Sequence, residues 1–113
     1  MSKNRHPRFK KIQKGKSHYF LTVVHIRKDN TTDTRCWGYH EDLELIRQCL
    51  RDNYSDFHET MYDYAVIEEH IMDPFAISTG FQEWWKFDFD KEGYRPLNDI
   101  PEFARQIVHW GIG

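Results

Sequence analysis

A run of mostly apolar side chains, followed by a turn-forming polar cluster, predicts two paired strands in the first third of the chain. Residues 17–27 (SHYFLTVVHIR) are rich in β-branched and aromatic side chains, which favour a pleated sheet. The turn-forming cluster KDNTTD follows, and after it come residues 34–39 (TRCWGY). The pattern predicts an antiparallel hairpin made of these two segments.

The period of the apolar positions changes at Glu41, where the sequence predicts an amphipathic helix that ends near Asn53. The apolar positions of this segment share one helical face: Leu43, Ile46, Cys49 and Leu50. Acidic residues such as Asp42 lie near its start and Arg51 lies near its end, so both charges complement the helix dipole.

Weaker signals follow the helix. Residues 54–60 are compatible with a further helical turn, and residues 61–69 (MYDYAVIEE) predict a third strand. Residues 70–80 contain both Pro and Gly, which limit regular structure, so they predict a loop.

The last third of the chain predicts a second hairpin and a short helix. Residues 81–89 and 94–97 form the two strands, and Gly93 in the turn between them is expected to take a positive φ. Pro96 cannot donate a ladder hydrogen bond, which indicates an edge strand. Residues 101–111 begin with Pro and end with Gly, as short helices often do.

Hairpins without βαβ crossovers predict an α+β domain with a mainly antiparallel sheet. The sheet would contain two hairpins plus a middle strand, with the main helix and the short C-terminal helix on one face. We expect a single domain over residues 17–113, preceded by a disordered basic arm, residues 1–16.

Charge is distributed unevenly. Residues 1–28 hold nine Lys or Arg and no acid, whereas residues 29–113 hold seven bases and all 18 acids, a net charge of −11. Such a chain can contact nucleic acid through the arm, fold the arm onto its own body, or attract a basic partner to the body. No signal peptide or membrane-spanning run is evident, so the expected location is the cytoplasm, and no membrane partner is expected.

Motifs for catalysis, metal binding or cofactor binding are weak. His58 begins a His-x-Thr triplet that resembles half of the pair used by two-histidine phosphoesterases, but the chain has no second triplet. Asp88 and Asp90 would share a strand face, as Mg²⁺ ligands can, although Asp is also common in turns. We therefore assign no catalytic residue, metal or cofactor, and an enzyme is the less favoured alternative.

Aromatic residues make up 16% of the chain and provide the candidate ligand site. Strict alternation would place Arg35, Trp37 and Tyr39 on one side of the second strand, opposite the small residues that could face the helix. Aromatic rings beside Arg are suited to stacking on a base and pairing with a phosphate. The predicted ligand-binding residues are Arg35, Trp37, Tyr39, Tyr62, Tyr64, Trp84, Trp85 and Arg95. The same face could instead be covered by a loop, by the arm or by a second protomer.

The segments RCWGYHEDLE, YDYAVIEE, EWWKFD, YRPL followed by PE, and VHWGIG resemble a group of small proteins encoded by bacteriophages and prophages. The resemblance covers residues 18–113 and implies, as an expectation, an inhibitor of host defence acting in the host cytoplasm.

Three functions follow as expectations. The first is a non-enzymatic protein that sequesters a nucleotide-derived signal. The second is an inhibitor that binds a host defence protein through an acidic surface that imitates nucleic acid. The third is an enzyme that degrades such a signal. A homo-oligomer is compatible with each of them.

Overall fold

The computed structural model describes residues 16–56, 58, 61–72 and 76–105. The strands are β1 (Ser17–Ile26), β2 (Thr32–His40), β3 (Tyr64–Met72), β4 (Ala76–Asp88) and β5 (Gly93–Pro96). The α-helix is α1 (Leu43–Arg51), and two 3-10 turns span Tyr54–Asp56 and Glu102–Ala104. The predicted arm up to residue 15 and the end of the predicted C-terminal helix, residues 106–111, lie outside the described residues.

The five strands form one antiparallel sheet in the order β2-β1-β3-β4-β5. Hairpins β1–β2 and β4–β5 flank β3, which pairs with β1 on one side and with β4 on the other. The predicted α+β class, with two hairpins and a middle strand, is confirmed. Pro96 lies on an edge strand, as expected.

Helix α1 packs across one face of the sheet. Asp42 caps its N-terminus, because its side chain accepts hydrogen bonds from the backbone N–H groups of Glu44 and Leu45. The predicted apolar stripe is confirmed, since Ile46 and Leu50 are buried in the cluster beneath the helix. The strand residues of that cluster include Leu21, Val23, Ala65, Ile67, Trp85 and Tyr94.

The opposite face of the sheet has its own apolar cluster. Val66 and Trp84 face each other across β3 and β4, and Phe103 packs edge-on to the Trp84 ring at 5.5 Å. The described C-terminal turn therefore lies on the face away from α1, whereas the sequence pattern placed both helices together. Alternation sorts the side chains of a strand between two faces, but it does not say which connection covers which face.

Strands β3 and β4 extend into the segment predicted as a loop. β3 continues to Met72 and β4 begins at Ala76, and the two strands pair with each other over this segment. The prediction of a loop over residues 70–80 is therefore wrong for residues 70–72 and 76–80. The ladder is interrupted between Glu68 and His70, opposite Gly80, which has a φ of 87°. The irregular backbone is therefore confined to a bulge at Gly80, whereas the sequence pattern predicted an irregular loop over residues 70–80.

The β4–β5 turn also differs from its prediction. Glu92, and not Gly93, has the positive φ, at 56°. Gly93 is required for another reason, because its backbone passes directly beneath the carbonyl group of Arg51 at the end of α1.

A carboxylate at the bulge links the start of β1 to β4. Ser17 and Thr79 donate hydrogen bonds to Glu69, the latter at 2.9 Å, and Tyr19 adds a weaker one. The bond from Ser17 contributes most to holding the pKa of Glu69 below its usual value of 4.5, although partial burial acts in the opposite direction. Because the pKa of Glu69 is lowered in the folded state, its carboxylate stabilises the fold at pH values above the usual carboxyl pKa. This stabilisation is lost as the pH falls through the lowered pKa.

Substituting Glu69→Gln is therefore expected to cost stability at neutral pH and to cost less as the pH falls through the lowered pKa. Urea unfolding at about pH 7 and about pH 3 would measure this difference. The exposed turn residue Glu92 provides the control variant, Glu92→Gln. A gap between wild type and Glu69→Gln that stays constant with pH would contradict the expectation.

Candidate functional site

A β-bulge at Trp37 shapes the region around the aromatic residues of β2. Leu21 pairs with Gly38, but its neighbour Thr22 pairs with Cys36, so Trp37 is the extra residue of β2. The Trp37 side chain packs against the helix-side cluster. Tyr39 instead pairs with Phe20 on the opposite face, and their rings stack at 5.1 Å. Trp37 and Tyr39 thus do not share a face, because strict alternation ends at the bulge.

The other predicted ligand-binding residues are also divided between the two faces. Tyr62 and Trp85 are buried beneath α1, whereas Tyr64 and Trp84 belong to the opposite cluster under the C-terminal turn. Arg95 donates a hydrogen bond to the carbonyl oxygen of Arg51 at 3.3 Å, at the end of the helix. The eight residues therefore do not form one open platform, and most of the rings among them contribute to packing.

A cleft of about 240 Å³ opens between β2 and α1. Its lining residues are Leu21, Trp37, Gly38, Tyr39, His40, Leu45, Ile46, Cys49 and Tyr54. The bulge turns Trp37 into the wall of this cleft and leaves Tyr39 at its edge. The volume is below that of a drug-sized pocket and suits a single ring or one branched side chain.

Exposed apolar side chains gather around the same cleft. On the helix side of the cleft, Leu45 is 46% exposed and Tyr54 is 66% exposed. Tyr39, which is 64% exposed, lies at the edge of the cleft, with its ring on the opposite face of the sheet against Phe20. These three account for half of the large exposed hydrophobic residues found in the described part of the chain. Clustered exposed rings and aliphatic groups are typical of binding surfaces, whereas single ones are not informative.

The charges around the cleft are predominantly acidic. Glu41 lines the adjoining depression with Tyr39 and His40, and Asp42 follows it as the helix cap. Burial raises the pKa of the Cys49 thiol, and the Asp52 carboxylate beside it raises the pKa further. Cys49 consequently lines the cleft as a neutral thiol at neutral pH.

Two cations oppose these carboxylates, Lys16, whose Nζ lies 3.7 Å from Glu41 Oε2, and Arg35. The Arg35 guanidinium lies over the Trp37 ring, 4.6 Å from its centroid. This contact joins two of the predicted ligand-binding residues and is favourable as a cation–π interaction. The start of α1 is a poor phosphate site, because the Asp42 carboxylate already accepts hydrogen bonds from the first backbone N–H groups of the helix and would repel an anion.

The residues considered for other chemistry have packing or turn roles. The His58 ring stacks on Phe87 at 4.0 Å and its Nε2 lies 3.1 Å from Asp63 Oδ1. Asp88 accepts hydrogen bonds from the backbone N–H groups of Asp90 and Lys91, so the turn role expected of Asp90 belongs to Asp88. Within the described ranges there is no cluster of three or more potential metal ligands, and no helix is long and apolar enough to cross a membrane.

Sequence reasoning missed the helix side of the cleft. Leu45 lies beside the apolar stripe of α1, and Tyr54 follows the helix as an isolated ring. An apolar residue displaced from a helix's buried stripe was the available signal for Leu45. Tyr54 gave no comparable signal, because a lone tyrosine in a turn is common.

Comparisons with known proteins do not extend this description. No protein-family model matches the chain, and neither a curated protein nor a solved structure shows a significant match.

Proposed function

We propose that this chain is a non-enzymatic binding protein that engages a partner protein through the cleft between β2 and α1. The observation that carries the proposal is the pair of exposed apolar side chains, Leu45 and Tyr54, on the helix side of a cleft sized for one side chain. Aromatic and aliphatic anchors that enter such pockets dominate the binding energy of protein interfaces. The acidic rim favours a partner with positive charge over one that brings phosphate groups.

The expectation of host defence as the target rests on the resemblance to phage proteins. A partner with a nucleic-acid-binding surface would fit the net charge of −11 over residues 29–113. Such a complex would weaken with rising salt, because both surfaces are screened.

Substituting Leu45→Lys is the direct test of the cleft. The variant places a charge on the apolar rim, and we expect it to reduce capture of a specific bacterial protein by at least about tenfold, which corresponds to about 1.4 kcal/mol. Immobilised wild type and immobilised variant would each be incubated with the same bacterial lysate, and the proteins bound to each would be quantified by mass spectrometry.

The matched control is Ile77→Lys. Ile77 is 52% exposed, similar to Leu45, but it lies in β4 and does not line the cleft. A captured protein should be retained by Ile77→Lys and lost by Leu45→Lys. Equal capture by both variants would contradict a role for the cleft.

A nucleotide-derived ligand is the second candidate, and the contact between Arg35 and Trp37 favours it. A base could stack in the cleft while the guanidinium turns from the ring to a phosphate. Calorimetry with cyclic dinucleotides and ADP-ribose derivatives would test it, with Arg35→Gln as the variant. If wild type released heat on binding one of these ligands and Arg35→Gln did not, sequestration of a signal would be favoured over a protein partner. Recovery of the unchanged ligand from the complex would exclude turnover.

A further inference from the structure

The two edges of the sheet differ in how far they are protected from pairing with another strand. β5 is short and contains Pro96, and both features discourage further pairing. β2 is nine residues long and has no Pro or Lys, and the described part of the chain adds no strand to its outer side. The bulge at Trp37 interrupts this edge and leaves regular strand on either side of it, over residues 32–36 and 38–40. β2 therefore presents alternate backbone N–H and C=O groups to an incoming strand.

The cleft lies along this edge of the sheet. Neighbouring strands lie about 4.8 Å apart, so a strand added to β2 would run beside it, next to the cleft. Leu45 and Cys49 line the helix side of the cleft, and Trp37 lines the β2 side. A side chain that points from the added strand towards the helix would enter the cleft. The bulge aids this arrangement, because it turns the Trp37 ring towards the helix.

Charge complementarity decides the kind of strand. Glu41 and Asp42 lie at one end of the cleft and Asp52 lies beside Cys49, so three carboxylates stand against two cations, Arg35 and the Lys16 that pairs with Glu41. An acidic segment would meet like charges at both ends. A segment with Lys or Arg on either side of its apolar anchor would meet opposite charges.

We propose that β2 accepts an extended, basic segment of a partner protein as a sixth strand, with one aromatic or branched aliphatic side chain of that segment bound in the cleft. The inference rests on the proposed function and specifies the chemistry of the partner. Backbone pairing supplies affinity that is independent of side chains, and the cleft and its acidic rim supply specificity.

Selection from a random 12-residue peptide library tests the inference, with counter-selection on Leu45→Lys. We expect the enriched peptides to share one aromatic or branched aliphatic residue with Lys or Arg nearby.

Backbone pairing is tested by N-methylating the backbone nitrogens of one enriched synthetic peptide, one position at a time. Binding should weaken at least about tenfold at every second position, because those N–H groups donate to β2. A saturating peptide should also slow alkylation of Cys49 at least about tenfold in a Cys36→Ser background, because the anchor covers that thiol.

The outcomes separate this inference from the proposed function. Peptides that depend on Leu45 but tolerate N-methylation at every position would overturn strand addition, and peptides that are neutral or acidic would overturn the basic segment. Either result would leave the cleft as a protein-binding site. A dimer in light scattering that Leu45→Lys dissociates would make a second copy of the chain the occupant and overturn the basic segment. A monomer that selects no Leu45-dependent peptide would contradict both proposals.

Discussion

Replacing Trp85 with alanine is expected to lower the free energy of unfolding by about 3 to 5 kcal/mol, the usual cost of removing a large buried ring. The indole is 1% exposed and lies at the centre of the cluster beneath α1. It faces Ala65 across the β3–β4 ladder, so a small residue makes room for a large one. Loss of the ring would leave a cavity, and the paired backbones of β3 and β4 cannot move inwards to fill it. Urea unfolding followed by far-UV circular dichroism would measure the loss.

A Trp85→Phe variant separates the ring from its polar group. The indole Nε1–H donates to Glu83 at 3.1 Å, and Glu83 also accepts two hydrogen bonds from Arg47 on α1. Phenylalanine keeps most of the apolar volume and removes this donor, so a loss of about 2 kcal/mol is expected. An alanine variant that loses less than the phenylalanine variant would contradict the packing role.

Local patterns predicted the parts of the fold that depend on neighbouring residues in the sequence. The run of β-branched and aromatic residues before a turn cluster identified the first hairpin, and the 3.6-residue period identified α1 with its buried Ile46 and Leu50. The run in β1 reflects burial on both faces of the sheet, whereas the period in α1 reflects one helix facing one apolar layer. The α+β class followed from the order of these elements.

The candidate site depended on features with no local signal. A single extra residue at Trp37 separates it from Tyr39 and reverses the face of every residue beyond it. Whether a bulge forms is decided by the register of β1 against β2, which involves residues far apart in the sequence. The cleft further required Leu45 from the helix, whose position over the sheet is set by the packing of the whole core.

Gly93 is the one described glycine at which an added Cβ would overlap other atoms, and Gly93→Ala is expected to destabilise the protein by about 3 kcal/mol or more. A Cβ atom at this position would lie 1.8 Å from the carbonyl oxygen of Arg51 and 2.8 Å from its carbonyl carbon. Both atoms belong to the helix backbone, so no side-chain rotation relieves the overlap. Either the last turn of α1 or strand β5 must move away.

Gly38→Ala is the matched control, because it adds the same methyl group to another strand of the same sheet. An added Cβ there has no described atom within 4 Å, and Gly38 is not among the positive-φ residues. Its cost should stay within about 1 kcal/mol, since alanine is no worse than glycine in a strand. Thermal and urea unfolding of the two variants would show a large loss for Gly93→Ala alone. If Gly93→Ala lost as little stability as Gly38→Ala, α1 and β5 could separate freely. The helix wall of the cleft would then not be fixed by this contact.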